Sequence, residues 1–139
     1  MNKNIFTAFA VIIGLTVIIW SGCKKDNGPK IEEFVIQIDS MVHPDTINFG
    51  DTLSIKFYGV VGPDGCYSFD ELVAEYFSDV NELAVESWGI HTFLDNCTQA
   101  IVYMNGKELL VTDIPAGDLT LVAVQPNGPN INQNVYIKE

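Results

Sequence analysis

Ser68-Phe69-Asp70-Glu71-Leu72-Val73-Ala74-Glu75-Tyr76-Phe77-Ser78 admits two readings, and they lead to different folds. Phe69, Leu72, Val73, Tyr76, Phe77 and Val80 recur at helical spacing, as on the apolar face of an amphipathic helix. Ser68 with Glu71 would close a capping box at its start. Local pattern alone predicts a helix over 69–78. The neighbours oppose it. Ser78-Asp79-Val80-Asn81 reads as a hairpin loop, and Leu83, Val85 and Ser87 then alternate with Ala84, Glu86 and Trp88 as a returning strand. A short helix here would interrupt a run of strands.

That run extends in both directions. Phe34, Ile36 and Ile38 alternate with Val35, Gln37 and Asp39, and Leu53, Ile55 and Phe57 alternate with Ser54, Lys56 and Tyr58. Period-two patterning sets one side of a strand in a core and the other in water. Pro44-Asp45, Asn48-Phe49-Gly50-Asp51 and Gly62-Pro63-Asp64-Gly65 punctuate the strands with turn-forming residues. After Cys97, the residues Ala100, Val102 and Met104 alternate with Gln99, Ile101 and Tyr103. Asn105-Gly106 predicts a two-residue hairpin turn, with Glu108 to Thr112 as the return. Ile114-Pro115-Ala116-Gly117-Asp118 turns into Leu119–Val124, and a loop at 126–130 precedes a last strand at Val135–Lys138. Turn signals at such regular spacing point to a β-sandwich.

The N-terminus is of another kind. Met1-Asn2-Lys3-Asn4 leads into an apolar run from Ile5 to Trp20, closed by Ser21-Gly22 and followed by Cys23-Lys24-Lys25-Asp26. One positive charge, an apolar stretch and small residues make a signal peptide, with an uncleaved signal anchor as the alternative. The run falls short of the roughly 18 apolar residues of a spanning helix. Asp26-Asn27-Gly28-Pro29-Lys30 is a short tether, a poor helix or strand former.

The chain has 139 residues, with 7 Lys+Arg against 18 Asp+Glu and a net charge of −11. None of the seven is Arg. Such a balance excludes nucleic acid as a partner, since phosphate binding needs cations. It equally opposes docking of the domain face on anionic headgroups. Export sets the redox context. Cys66 and Cys97 form an even pair in an oxidising compartment, and a disulfide between them would contribute about 3–4 kcal/mol in the chain-entropy model. A reactive thiol is the alternative and would need a base nearby.

Ser21-Gly22-Cys23 closing the apolar run resembles a bacterial lipobox, although Trp20 stands where that motif usually has Leu. The resemblance implies that Cys23 is acylated, with palmitate-type chains, and becomes the mature N-terminus. Two or more acyl chains hold a protein stably at a bilayer, where one does not. Cys23-Lys24-Lys25-Asp26 is similar to lipoproteins of the Bacteroidota type. Gly50-Asp51-Thr52-Leu53-Ser54-Ile55, Gly65-Cys66-Tyr67-Ser68-Phe69 and Ile114-Pro115-Ala116-Gly117-Asp118-Leu119-Thr120-Leu121 resemble exported immunoglobulin-like domains of small uncharacterised lipoproteins. That family implies a sandwich, and on its strength residues 69–78 are expected as the first half of a hairpin. The order Cys66, Trp88, Cys97 departs from the antibody pattern, so no antibody-type core follows.

Candidate chemistry is sparse. His43 and His91 are the two histidines. His91, Asp95 and Cys97 fit no standard zinc spacing, and a paired Cys97 would drop out, so no metal ligand is assigned. No Gly-x-Ser-x-Gly elbow occurs, and no catalytic residue or cofactor is assigned. Asp64, Asp70, Asp79, Asp95 and Asp113 sit near strand ends without a calcium-loop run. They read as solvated edge charges that discourage edge pairing. Trp88, Tyr58 and Tyr103 are the candidate ligand contacts, against the plainer role of cross-strand packing. Asp39-Ser40, Asp45-Thr46 and Asp51-Thr52 resemble O-glycan acceptor sites of exported Bacteroidota proteins, which makes Ser40, Thr46 and Thr52 candidate acceptors.

The sequence therefore predicts an all-β, immunoglobulin-like antiparallel β-sandwich after a cleaved lipoprotein signal peptide. Residues 1–22 are the leader, 23–31 the lipidated N-terminus and tether, and 32–139 the sandwich. The expected role is a lipid-anchored cell-envelope module, at the periplasmic or surface leaflet of the outer membrane, contacting an envelope protein or glycan. A carbohydrate-binding accessory lipoprotein is the alternative, and a secreted hydrolase the third reading.

Overall fold

The computed structural model describes residues 28–139. Its strands are β1 (Ile31–Val35), β2 (Ile38–Val42), β3 (Thr46–Asn48), β4 (Leu53–Gly62), β5 (Tyr67–Phe77), β6 (Glu82–Thr92), β7 (Val102–Val111), β8 (Gly117–Ala123) and β9 (Ile131–Lys138). No helix occurs among the described residues. The leader and Cys23 lie outside them.

β4 is the strand on which the core is built. Leu53, Ile55 and Phe57 are each 0% exposed, as their alternation predicts. They meet Leu83 and Val85 of β6, Met104 of β7, Leu119 and Leu121 of β8, and Val135 and Ile137 of β9 in one apolar cluster. β2, β4 and β7 form a three-stranded antiparallel sheet. The second sheet has six strands and is curled and mixed. In it β5 pairs with one edge of β6. The other edge of β6 is shared by β1, antiparallel, and β8, parallel, and β9 and β3 follow. The expectation of purely antiparallel sheets is thus corrected, since β6–β8 and β3–β9 are parallel pairs. Parallel neighbours cannot be joined by a tight turn, so no local signal announces them.

Residues 69–77 are strand, not helix, and Ser78 begins the turn. β5 and β6 form a hairpin around 78–81, with Tyr76 opposite Leu83 and Phe77 opposite Glu82. The helix-like spacing has a definite origin. Phe69 pairs with Gly89 and Leu72 with Ser87, so Asp70 and Glu71 together face Trp88. This bulge inserts one residue and stretches the apolar repeat from two to three. Phe69 and Leu72 both pack against the core.

Two further expectations change. Residues 34–39 are not one strand. The chain leaves the six-stranded sheet at Ile36 and joins the three-stranded sheet at Ile38. Both isoleucines are buried at the crossing, and the backbone there must still find partners. Ile36 N–H donates to Ser87 O at 2.7 Å. Ile38 N–H donates to Gln125 Oε1 at 3.1 Å, and Gln125 Nε2 donates back to Ile38 O at 2.9 Å. One side-chain amide thereby stands in for a strand. The second correction is Asn105-Gly106. The chain does not turn there, because β7 runs through it, with Phe57 opposite Lys107 and Tyr58 opposite Asn105. Gly106, at φ 67°, is the extra residue of a bulge, a place where glycine tolerates left-handed backbone.

Cys66 and Cys97 are joined by a disulfide with a Cα–Cα distance of 5.4 Å. It fastens the turn before β5 to the loop after β6, helped by Gly65 N–H donating to Thr98 O and Thr92 N–H donating to Cys66 O, both at 2.9 Å.

Candidate functional site

One surface groove lies over Trp88, built from three strands. Along β6, Leu83, Val85 and Ser87 point into the core, so Ala84, Glu86 and Trp88 must point out. Gly89 is the inward neighbour. A Cβ there would lie 2.7 Å from Phe34 Cζ and 3.1 Å from Ile36 Cδ1, so the Phe34 ring packs where a side chain at 89 would stand. That closeness sets Val35 of β1 beside Trp88 in register, with Glu33 beside Ile90. On the other side, the β5 bulge lies opposite Trp88. Phe69 and Leu72 turn inward, and both carboxylates between them turn outward. Glu33, Asp70, Glu71, Val73, Glu86 and Trp88 line a cavity of about 330 Å³. Trp88 Nε1–H donates to Glu86 Oε2 at 3.2 Å, which orients the half-buried indole.

The other two aromatic candidates are elsewhere. Tyr58 and Tyr103 lie on the outer face of the three-stranded sheet, where Tyr103 is 61% exposed. Trp88, Tyr58 and Tyr103 therefore form no single platform. The two histidines are also far apart in their settings. His91 stacks on Tyr67 with ring centres 4.2 Å apart, and its ring lies tilted at 47° against Phe93 with centres 4.3 Å apart. Phe34 meets Tyr67 edge-on, and Lys30 Nζ lies 4.5 Å from the Phe93 centroid. His43 Nε2 lies 2.7 Å from Gln133 Oε1.

The aspartates do turn chemistry or stand alone. Asp64 Oδ1 accepts from Cys66 N–H at 2.9 Å. Asp64, Cys66 and Cys97 lie close enough together for a metal, but the two sulfurs are bonded to each other. Asp113 sits at φ 59° in the turn after β7. Asp79 belongs to the β5–β6 loop and Asp95 to the loop after β6, and only Asp70 contributes to the Trp88 groove. Ser40, Thr46 and Thr52 are all exposed, on β2, at the start of β3 and just before β4.

No protein-family model, curated protein or solved structure matches this chain. The likeness to immunoglobulin-like lipoproteins is carried by the quoted sequence stretches alone.

Sequence reasoning named Trp88 but missed Glu33, Glu71, Glu86 and Val73 as its neighbours. The available signal was the pair Asp70-Glu71 interrupting a strand's alternation. It was absorbed by the helix reading, in which Glu71 caps rather than lines a groove.

Proposed function

We propose that this chain is a lipid-anchored module of the cell envelope, with an immunoglobulin-like sandwich that contacts another protein or a glycan. The anchoring part draws on Ser21-Gly22-Cys23 after the apolar leader. The immunoglobulin-like part draws on two packed sheets with β2, β4 and β7 in one of them, and the parallel β6–β8 pair is a departure from that pattern. A non-enzymatic role is part of the proposal. The observation that carries the interactive role is the half-buried indole of Trp88 lining a groove. An aromatic side chain kept half-open on a sheet face is a common element of binding surfaces.

Two experiments test it. Cys23→Ser is expected to abolish leader processing and move the protein out of the membrane fraction, and unchanged fractionation overturns the anchoring. A photocrosslinking residue at position 73 in the lipidated protein is expected to give a discrete adduct. If it gives none, the groove is not a contact surface.

Carbohydrate binding is the second reading. It uses the same indole with carboxylates as hydroxyl acceptors, and it is weakened by the placement of Tyr58 and Tyr103 on the opposite face. Glycosylation at Ser40, Thr46 and Thr52 stays part of the proposal, supported by their exposure. An intact mass equal to that of the lipidated polypeptide would end it.

A further inference from the structure

We infer that the groove over Trp88 docks an extended segment of a partner protein bearing lysine or arginine, with one cationic side chain laid across the indole. This rests on the interaction-module reading above and names the partner's chemistry at the same face.

Charge complementarity carries the argument. Glu33, Asp70, Glu71 and Glu86 come from three strands and converge on one cavity. Asp70 and Glu71 both face it because of the bulge opposite Trp88. Among the described residues the single ion pair is Lys30 with Glu32, so none of the four carboxylates has a cation of its own. A surface of one sign favours a positive charge supplied from outside.

The indole decides which kind of cation. Its ring face attracts ammonium and guanidinium groups, and its Nε1–H is already engaged by Glu86, which leaves the ring oriented. Val35 and Val73 flank Trp88 on the neighbouring strands and offer apolar surface to the methylene stem of a long side chain. A calcium ion needs about six to eight oxygens at close range and gains nothing from an indole or a valine. The cavity, about 330 Å³, has room for one such side chain and part of its backbone. β5 pairs only with β6, so the strand that carries Asp70, Glu71 and Val73 is a sheet edge beside the groove.

The test uses the full-length chain in detergent micelles, with Trp20→Phe so that Trp88 is the one fluorescent indole. The probe is a short peptide with lysine at alternate positions. The control probe is the same peptide acetylated on every lysine. The lysine peptide is expected to give a saturable change in Trp88 emission that weakens as salt rises, and the acetylated peptide none. Asp70→Asn with Glu71→Gln is expected to weaken binding about tenfold or more, and Trp88→Ala, followed by peptide anisotropy, likewise. Trp88→Phe keeps a ring and is expected to lose less, which separates loss of the ring from loss of the fold. The charge-matched pair Glu108→Gln with Asp113→Asn, away from the groove, is expected to change it less than about twofold.

An equal loss in that control pair overturns the inference, because the peptide would then be sensing only the net charge. Displacement of the peptide by millimolar calcium overturns it in favour of a metal. Binding that appears only after Lys24→Gln with Lys25→Gln overturns it in favour of the chain's own tether. Cys23→Ser fractionation is read in parallel. Absent peptide binding together with fractionation that depends on Cys23 defeats this inference alone, whereas intact peptide binding together with fractionation unchanged by Cys23→Ser defeats the envelope reading alone.

Discussion

The outer face of the three-stranded sheet exposes Val42, Val60, Tyr103 and Leu110, with Tyr103 and Leu110 each 61% exposed. Its charges are balanced, with Lys56 standing opposite Glu108 in register and Ser54 Oγ–H donating to Glu108 Oε1. The outer face around Trp88 is the reverse. It gathers Glu33, Asp70, Glu71 and Glu86 about an indole, with no ion pair among them. Both faces cover the same core, and the strands beneath both alternate in the same way. Four of the chain's 18 Asp and Glu meet at this groove, and one β-bulge sets two of them, Asp70 and Glu71, side by side. A net charge read from composition speaks for solubility and says nothing of where on the surface the charges gather.

Substitutions can break or sharpen this contrast. The largest effect should come from the interior that both faces share. Phe57→Ala is expected to lower the unfolding free energy by about 3–5 kcal/mol, seen as a lower denaturant midpoint, because Phe57 is fully enclosed. A loss under about 1 kcal/mol would mean that the two sheets do not share one core.

Next is the bridge. Cys66→Ser with Cys97→Ser opens a crosslink spanning 31 residues and is expected to cost about 3–4 kcal/mol. The loss should be lopsided. Hydrogen exchange should quicken at the start of β5 and in the loop after β6, while β2 and β4 stay protected. Uniform quickening would contradict the local role given to the disulfide.

Trp88→Ala is expected to cost about 1–2 kcal/mol of folding stability, the share of a half-buried apolar side chain, read as a lower denaturant midpoint. Gly106→Ala, on the other face, is expected to cost about 1 kcal/mol. Its backbone is left-handed, and the new Cβ would lie 3.3 Å from Tyr58 Oη. Tyr103→Ser is expected to change thermal stability by less than about 0.5 kcal/mol. A larger loss there would show that the apolar outer face is covered, as in a self-associated form, which sedimentation would reveal.

Much of the core was readable before the fold was known. Leu53, Ile55 and Phe57, then Leu83, Val85 and Ser87, announce their inward positions by period two, and all six are buried. Ser87 shows the limit of the pattern. A hydroxyl in a core is unexpected until its Oγ–H is seen donating to Met104 Sδ at 3.2 Å across the sandwich. The Asn105-Gly106 signal was real, but it served a bulge inside β7 rather than a turn. Left-handed backbone suits both, and only the partner strand distinguishes them.

By itself, then, the sequence determined the alternation, the turns at 62–65, 78–81 and 126–130, and which side chains of β4 and β6 face inward. Those follow from backbone geometry over a few residues. Only the tertiary structure decided which sheet each strand joins, and so which outer residues share a surface. Trp88, Tyr58 and Tyr103 all point away from the core, as their parity requires, yet Trp88 is back to back with the two tyrosines. Parity is local, whereas strand pairing depends on contacts between residues far apart in the chain, such as the parallel meeting of β6 with β8. No short window of sequence contains that information.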